Sequence, residues 1–392
     1  MLFFSFRWYI ISVLKGNNML GIYIHIPFCK NKCPYCDFVS FENKDPEAYI
    51  DAVLREIKIY GKYQAVDTVF FGGGTPTLID PSYIDKIMTA LRESFNLSKM
   101  AEITIEANPG TVDERSLKRY LSMGINRISF GLQSTFDDEL KTLGRIHTIA
   151  EFEKSYMEAR SVGFRNINID LMFSLINQSE QRFFDSVDRV LTYAPEHISC
   201  YSLKIEEGTP YYNAYSDSKY FASEEAERNM YHYAHHTLEK NGYTHYETSN
   251  FAKEGKRCEH NLIYWKNEPY IGIGVAAHGY LKSEDEKHYR YSNVSDIDAY
   301  IRVLNKDRRP IDEKTVLSEK DILDEYLMLR LRLNSGINFF EFEEKFGIDF
   351  KDRYKVQIMT LEKNEMIRKD DFGIYPTLKG FDLQNTMITL FL

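Results

Sequence analysis

The sequence of 392 residues lacks the features that mark several large protein classes. Its five cysteines are an odd number, which argues against a disulfide framework and favours a reducing compartment, the cytoplasm. It has no excess of positive charge, and the net charge of −9 disfavours a general nucleic-acid-binding surface. Hydrophobic residues make up 43% of the chain, so we expect a sizeable core. The length suggests one large domain plus a smaller one, or two or three domains of ordinary size.

The N-terminal segment lacks both the length of a spanning helix and the parts of a signal peptide. Residues 1–18 read MLFFSFRWYIISVLKGNN, whereas a spanning helix needs about 20 apolar residues. A basic segment and a small-residue cleavage site are missing. Met19 stands directly before a predicted strand. We therefore expect translation to start at Met19, with residues 1–18 as a non-native extension; a weak anchor at the membrane surface is the alternative.

Short β-branched or aromatic runs alternate with helical patterns through the first 210 residues. The runs predict buried strands at 20–26, 66–71, 102–107, 127–131, 166–173 and 197–203. Apolar strands separated by helices are typical of a parallel sheet covered by helices. Six such units predict an α/β fold, a partial (β/α)6 TIM-type barrel. Polar and glycine-rich segments follow the strands, at the rim where such barrels carry their chemistry.

The remainder of the chain is less regular as far as residue 290 and becomes helical again from about 315. We predict a barrel domain over 19–250 and a smaller α+β C-terminal domain over 251–392, ending in a winged-helix-like unit. Residues 336–392 contain eight basic and ten acidic side chains, so we do not expect this unit to read DNA.

Three cysteines form the pattern C-x3-C-x2-C in the loop after the first predicted strand, at Cys29, Cys33 and Cys36. Structural zinc commonly uses two C-x2-C pairs, but Cys200 and Cys258 are isolated. A [4Fe–4S] cluster held by three thiolates leaves one iron open for a small chelating ligand. The pattern therefore favours an iron–sulfur cluster over zinc.

A glycine-rich segment, FFGGGTPT at 70–77, follows the second predicted strand. It is not a nucleotide-binding loop, because neither G-K-[ST] nor G-x-G-x-x-G is present, but its glycines allow a ligand to approach the backbone closely. Polar side chains end the later strands, namely Glu106, Gln133, Arg145 and Asp170. Each alone is more simply structural, with Arg145 a candidate partner of Asp170. Together they predict one binding site.

The motifs of the chain occur in a characteristic order between about residues 20 and 336. They include IYIHIPFC, FFGGGTPT, EANPG, RISFGLQS, LGRIH, NIDLMF, YETSNFA, HNLIYW and GIGVAAHG. In this order they resemble the oxygen-independent coproporphyrinogen III oxidase-like family of the radical S-adenosylmethionine (SAM) superfamily, and within it a branch of heme chaperones. The resemblance implies a [4Fe–4S] cluster on the three clustered cysteines, with SAM on the open iron.

The resemblance also implies ligand-binding residues. The implied SAM site is lined by Tyr23, Tyr35, Gly73, Gly74, Thr75, Glu106, Gln133, Arg145 and Asp170; four of these, Tyr35, Gln133, Arg145 and Asp170, match positions around a second SAM in the oxidase. The HNLIYW segment implies heme binding by His260, Asn261, Tyr264 and Trp265. Other candidate heme ligands, which the sequence does not distinguish, are His278, His147 and Cys258.

Three departures separate the chain from the oxidase of that family. The oxidase motif continues to a fourth cysteine, where this chain has Phe38. The N-terminal segment of the oxidase is longer, and the HNLIYW segment is typical of the chaperone branch. The resemblance therefore implies a protein that binds heme and delivers it to apo-hemoproteins of the respiratory membrane, with dimerisation and at most peripheral membrane association. The alternatives are oxidative decarboxylation of coproporphyrinogen III in porphyrin biosynthesis and radical chemistry on another tetrapyrrole. No catalytic residue is assigned.

Overall fold

The computed structural model describes residues 19–42, 44–61, 64–215 and 217–392, so the expectation for residues 1–18 lies outside the described residues. The strands are β1 (Gly21–Ile26), β2 (Ala65–Gly73), β3 (Asn96–Ala107), β4 (Arg127–Gln133), β5 (Ile167–Phe173), β6 (His197–Ser202), β7 (Thr244–Glu247), β8 (Asn250–Ala252), β9 (Tyr270–Ile273), β10 (His278–Lys282), β11 (His288–Asn293), β12 (Ile311–Val316), β13 (Ile337–Asn338), β14 (Ile367–Lys369) and β15 (Gly373–Pro376).

The helices cover the sheet and build the C-terminal unit. They are α1 (Glu47–Tyr60), α2 (Pro81–Ser94), α3 (Glu114–Ser122), α4 (Asp137–Thr142), α5 (Ile149–Val162), α6 (Glu180–Thr192), α7 (Pro210–Tyr215), α8 (Glu224–Lys240), α9 (Glu259–Trp265), α10 (Ile297–Leu304), α11 (Glu319–Arg330), α12 (Phe339–Phe346), α13 (Phe350–Arg353), α14 (Lys355–Lys363), α15 (Leu378–Asp382) and α16 (Gln384–Thr389). Side-chain caps begin several of them; the capping boxes at Asp113, Thr148 and Ser318 each satisfy backbone N–H groups.

Six parallel strands, β1 to β6, lie side by side in chain order, as the sequence predicts. Because each pair is parallel, the loops that follow neighbouring strands meet at one edge. Ile26 pairs with Gly73. The loop after β1 that carries Cys29, Cys33 and Cys36, which we call the cysteine loop, therefore lies beside the turn at Gly72–Gly74, which we call the glycine turn. This arrangement confirms the α/β fold with a partial barrel.

The sheet extends beyond these six strands on both sides, in the order β12-β11-β10-β9-β1-β2-β3-β4-β5-β6-β8-β7. Strand β9 is parallel to β1, and β10, β11 and β12 continue the sheet antiparallel, with helix α10 in the connection between β11 and β12. Residues 270–316 thus supply four more strands of the same sheet, although the sequence reads as less regular as far as residue 290. Strand β12 is mostly exposed, so it carries little apolar pattern.

Two large hydrophobic cores stabilise the described part of the chain. The first runs from Leu20 to Leu304 and packs the sheet against its helices, whereas the second runs from Leu323 to Phe391. The second core surrounds the three-stranded sheet β13-β15-β14, an α+β unit of winged-helix type. The division predicted after residue 250 stays a prediction; β8 begins at that point.

None of the helices within the described ranges is both long enough and apolar enough to span a bilayer.

Candidate functional site

The loop after β1 holds the three clustered cysteines at the carboxyl edge of the sheet. All three are half-buried free thiols. The Sγ atom of Cys29 lies 3.8 Å from Oγ1 of Thr75, in the glycine turn after β2. The Sγ atom of Cys33 lies 3.8 Å from Nη1 of Arg145. The loop is therefore held between the glycine turn after β2 and Arg145, which lies in the connection between α4 and α5 and not at a strand end as expected.

The donor set of this loop fits a [4Fe–4S] cluster. Thiolates are the ligands that such clusters use, and each thiolate binds a different iron. In the described part of the chain, no three His, Cys, Asp or Glu side chains are grouped closely enough to share a single metal ion. Burial raises the pKa of the Cys36 thiol.

The glycine turn explains why three glycines follow one another after β2. Gly73 has φ of +112°, a backbone conformation that favours glycine. A Cβ atom on Gly74 would lie 2.8 Å from the carbonyl oxygen of Phe28. The turn therefore packs directly against the start of the cysteine loop and leaves its backbone accessible from one side.

A cavity of about 430 Å³ opens beside this turn, and we call it the cluster-side cavity. Eight of the nine predicted SAM residues line it: Tyr35, Gly73, Gly74, Thr75, Glu106, Gln133, Arg145 and Asp170. Cys36 and Phe38 line the same cavity. The ninth predicted residue, Tyr23, lies on a neighbouring cleft instead.

Two carboxyl groups, those of Glu106 and Asp170, line the cluster-side cavity. Burial raises the pKa of Glu106 to about 8, and the carboxyl group of Asp170 adds to that shift, while the N–H of Gly73, which donates to Glu106 Oε2 at 3.2 Å, opposes it. Burial also raises the pKa of Asp170. Bound cations favour carboxylates, so this pair suits the positively charged SAM.

The expected ion pair between Asp170 and Arg145 is wrong. The Nη2 atom of Arg145 donates to Oδ1 of Asn108 at 2.5 Å and to the carbonyl oxygen of Gly131 at 2.7 Å. Asp170 accepts a hydrogen bond of 2.7 Å from Asn168. Arg145 therefore connects the cysteine loop to the strand ends, and an uncharged amide holds the carboxyl group.

Sequence reasoning missed several polar residues of this cavity, namely Asn108, Arg127, Ser129, Asn168, Ser199 and Tyr201. Most lie at alternate positions of β4, β5 and β6, while the intervening residues Ile128, Phe130 and Ile169 are in the core. Alternating polarity of this kind was visible in RISFGLQ and NINID, because successive strand residues point to opposite faces. Arg127 is only 2% exposed and its Nε has no partner among the described residues, so it can donate to a ligand.

Gln133 has a strained backbone at the end of β4. Its φ is +71°, although it is not glycine. Its Oε1 accepts a hydrogen bond of 2.8 Å from the hydroxyl of Tyr201. Strain of this kind is concentrated at ligand sites, where packing holds a side chain in one direction. The pairing fixes Gln133 in the wall of the cluster-side cavity.

The four predicted heme residues do not come together in one place. His260 is 1% exposed; its Nδ1 lies 2.7 Å from Oγ1 of Thr68 and its Nε2 lies 2.8 Å from the hydroxyl of Tyr264. Burial lowers the pKa of His260 to about 3, so the ring is neutral. Asn261 lines the cluster-side cavity, whereas Trp265 packs against Tyr246, Leu262 and Leu333.

A second opening, of about 520 Å³, lies next to the cluster-side cavity, and we call it the aromatic cleft. Its lining includes Tyr23, Phe38, Tyr264, Tyr270 and His278. The rings of Tyr264 and Tyr270 meet edge to face, with centroids 4.6 Å apart. Phe38 is 65% exposed and belongs to both openings, so the cavity and the cleft are neighbours.

Comparisons with known proteins agree with this geometry. The sequence model of the radical SAM superfamily matches residues 23–190, and that of the HemN C-terminal domain matches residues 317–383. The chain is 35% identical to the heme chaperone HemW of Lactococcus lactis over 373 residues, which cover 94% of this chain and 96% of that protein. It is 33% identical to the heme chaperone HemW of Bacillus subtilis over 381 residues, covering 95% and 99%.

Among solved structures, the coproporphyrinogen III oxidase (HemN) of Escherichia coli has a similar fold. The two chains superpose with a TM-score of 0.81 at 21% identity, covering 98% of this chain and 93% of that one. An identity this low shows the fold alone.

Proposed function

The chain belongs to the family of HemW heme chaperones, on a radical SAM scaffold, and from this membership we propose that it binds heme and delivers it to apo-hemoproteins. Its relatives match it over nearly their whole length, so the two sites described above have the full scaffold to support them. The observation that carries the proposal is the open aromatic cleft beside a thiol-lined, polar cavity, with Phe38 between them.

The cluster-side cavity is the proposed place for the [4Fe–4S] cluster and SAM. When bound, the cluster supplies an electron-donating centre with an open iron. The chain supplies Cys29, Cys33 and Cys36 as ligands, the glycine turn as a close backbone surface, and Glu106 and Asp170 as acceptors for a cation. Arg145 holds the cysteine loop to β4 through the carbonyl oxygen of Gly131.

Phe38 supports the chaperone function over the oxidase function. It stands where the oxidase motif has a fourth cysteine, and it presents an exposed aromatic surface to both openings. An aromatic side chain at this position can contact a flat apolar ligand but cannot donate a proton or a thiolate. This difference favours binding a porphyrin without converting it.

We also propose three finer properties of the same function. The protein acts in the cytoplasm, which agrees with five free thiols in the described chain. It delivers heme to hemoproteins of the respiratory membrane, and it works as a homodimer. Size-exclusion chromatography with light scattering on the cluster-loaded protein tests the last point, and a monomer at every concentration would contradict it.

One anaerobic experiment separates the chaperone from the oxidase. The cluster is reconstituted, and the protein is offered coproporphyrinogen III with SAM and a reductant in one arm and ferric heme in the other. We expect saturable heme binding and no protoporphyrinogen. Formation of protoporphyrinogen with SAM consumption would contradict the chaperone function and support the oxidase.

A further inference from the structure

Membership of the chaperone family does not identify the side chain that would bind the heme iron in this chain. Burial and existing hydrogen bonds exclude most of the candidates. An iron ligand needs a nitrogen or sulfur lone pair that a porphyrin can reach. His260 has hydrogen-bond partners on both ring nitrogens and is 1% exposed. His25 also has both nitrogens occupied, Nδ1 by the hydroxyl of Tyr23 at 3.1 Å and Nε2 by the carbonyl oxygen of Val39 at 2.8 Å.

The other two candidates from the sequence are equally inaccessible. His147 is 5% exposed, and its Nε2 lies 3.3 Å from the carbonyl oxygen of Leu132. Cys258 is fully buried at the start of α9, with its Sγ 3.6 Å from Oε1 of Glu102. Burial raises the pKa of Cys258, so its thiol stays protonated, and a thiol is a poor iron ligand.

His278 differs from all of these histidines. It is the first residue of β10, it is exposed, and its side chain lines the aromatic cleft. No hydrogen bond reaches its imidazole from any residue that the structure describes. Its backbone, in contrast, is fixed by pairing of β10 with β11, where it faces Ser292. His278 therefore offers a free imidazole on a rigid strand at the edge of an open cleft.

The walls of the cleft suit a flat, largely apolar ring system. Tyr264 and Tyr270 form an edge-to-face pair on one side, and Phe38 lies at the border with the cluster-side cavity. The volume of about 520 Å³ is within the range of roughly 300 to 1,000 Å³ that is typical of small-molecule sites. A porphyrin placed here would meet aromatic side chains and the His278 imidazole, with Asp37 as the one carboxyl group in the lining.

His260 does not line the cleft but contacts Tyr264, which does. Its Nε2 is hydrogen-bonded to the hydroxyl of Tyr264, its Nδ1 to Thr68, and its ring stacks on Phe70 with centroids 5.2 Å apart. These contacts lock the orientation of Tyr264, whose ring is part of the wall. His260 thus acts as a positioning residue for the cleft and does not touch the iron.

We propose that the aromatic cleft is the heme site of this chain, with His278 as the axial iron ligand and His260 holding Tyr264 in the wall. The inference rests on the proposed heme-carrying function and specifies its site. The step is coordination only: a lone pair of the His278 imidazole forms a bond to the heme iron, and no electron is transferred.

The test is a titration of ferric heme into the cluster-loaded full chain, followed by the Soret and visible bands. His278→Ala is expected to change the band positions and to weaken binding by more than about tenfold, since even outer-shell partners of a metal site contribute roughly ten- to hundredfold. Added imidazole is expected to restore the wild-type bands. His278→Met is expected to give the distinct bands of a sulfur ligand, which a structural role would not produce.

Two controls complete the experiment. His236→Ala removes an exposed histidine on α8, away from the cleft, and is expected to leave heme binding unchanged. His260→Asn is expected to weaken binding while keeping the wild-type band positions. Heme binding by the wild type with unchanged bands and affinity in His278→Ala would overturn this inference and leave the chaperone function standing. Failure of the wild type to bind heme would overturn both.

Discussion

The cluster-side cavity and the aromatic cleft share Phe38, but they are built in different ways. The cavity is lined by polar and charged groups from the ends of six successive strands, most of them already held by neighbours, as Gln133 is by Tyr201. The cleft is lined mainly by aromatic and small apolar side chains, with one carboxyl group, that of Asp37. Of its two histidines, His25 has both ring nitrogens hydrogen-bonded, whereas the imidazole of His278 has no hydrogen-bond partner among the described residues. The first is preorganised for a small charged ligand, and the second offers surface to a flat apolar one.

This difference also explains what the sequence revealed. Residues of the cavity follow strands in a regular parallel sheet, so the motifs after β1 and β2 and the polar strand ends predicted them together. The cleft combines residues from β1, the cysteine loop, α9, β9 and β10, which no local pattern connects. The expectation that the HNLIYW segment forms one heme surface shows the limit of prediction from a local motif. Nδ1 of His260 is occupied by Thr68, which is 192 residues away in the chain, and no local pattern indicates this contact.

The fold was predicted more completely than the site. Strand β1 was expected at 20–26 and occupies Gly21–Ile26, because its apolar run is bounded by a clear turn. Strand β3 was expected to begin at residue 102 but begins at Asn96. Its first five residues are exposed or half-buried and show no strand alternation, and Asn96 and Leu97 pair with the first two residues of β2, which periodicity does not report.

The largest effect is expected from removing one cluster ligand. Cys33→Ser should abolish the brown iron–sulfur absorption while the cleft, which does not include Cys33, retains heme binding. Iron and sulfide analysis with visible spectroscopy measures the first, and heme titration the second. Cys200→Ser is the matched control, because Cys200 is buried in β6 outside the loop, and should keep its cluster. A full [4Fe–4S] spectrum in Cys33→Ser would contradict the ligand assignment.

Glu106→Gln should change the pH dependence of the free energy of unfolding, and Glu106 lines the cluster-side cavity but not the aromatic cleft. The pKa of Glu106 is about 8 in the folded state, above the ordinary value of 4.5. Between pH 4.5 and pH 8, the carboxyl group is therefore protonated in the folded chain and ionised in the unfolded chain. Wild-type stability therefore falls as the pH rises from 4.5 to 8, and the variant lacks this loss.

The measurement is the free energy of unfolding by denaturant at pH 5 and pH 8. Between pH 5 and pH 8, the free energy of unfolding of the wild type should fall by more than that of Glu106→Gln. The difference between the two changes should be on the order of a few kcal/mol. Asp170→Asn is a companion variant with the same direction of change, since burial raises that pKa too. Parallel pH profiles for wild type and Glu106→Gln would show that the Glu106 carboxyl group is not perturbed.

Gly74→Ala should damage the contact between the glycine turn and the cysteine loop. The added Cβ would meet the backbone of Phe28 at 2.8 Å, and overpacking of this kind costs roughly 1 to 3 kcal/mol in the free energy of unfolding. SAM affinity, measured by calorimetry on the cluster-loaded protein, should fall as well. Gly208→Ala is the control for the cavity: its Cβ meets nothing within 4 Å, but its φ of +88° strains alanine, so stability should fall there while SAM affinity stays unchanged.

Tyr264→Phe should have the smallest effect, and it separates the ring of the cleft wall from its hydroxyl. The change removes the hydrogen bond to His260 and leaves the aromatic surface in place. We expect a loss of about 1 kcal/mol in the free energy of unfolding, as is typical of one buried hydrogen bond. Heme should still bind with the same Soret band; a changed band position would mean that the hydroxyl itself contacts the heme.

The central claim is that this chain carries heme in the aromatic cleft and releases it to another protein. The most direct measurement mixes the heme-loaded, cluster-containing chain with an apo-hemoprotein and follows the Soret bands of both proteins after they are separated. We expect heme to leave the chain and to appear in the recipient as holoprotein, and we expect that His278→Ala cannot be loaded with heme to the same extent. Heme that stays on the chain in the presence of excess apo-hemoprotein would contradict it.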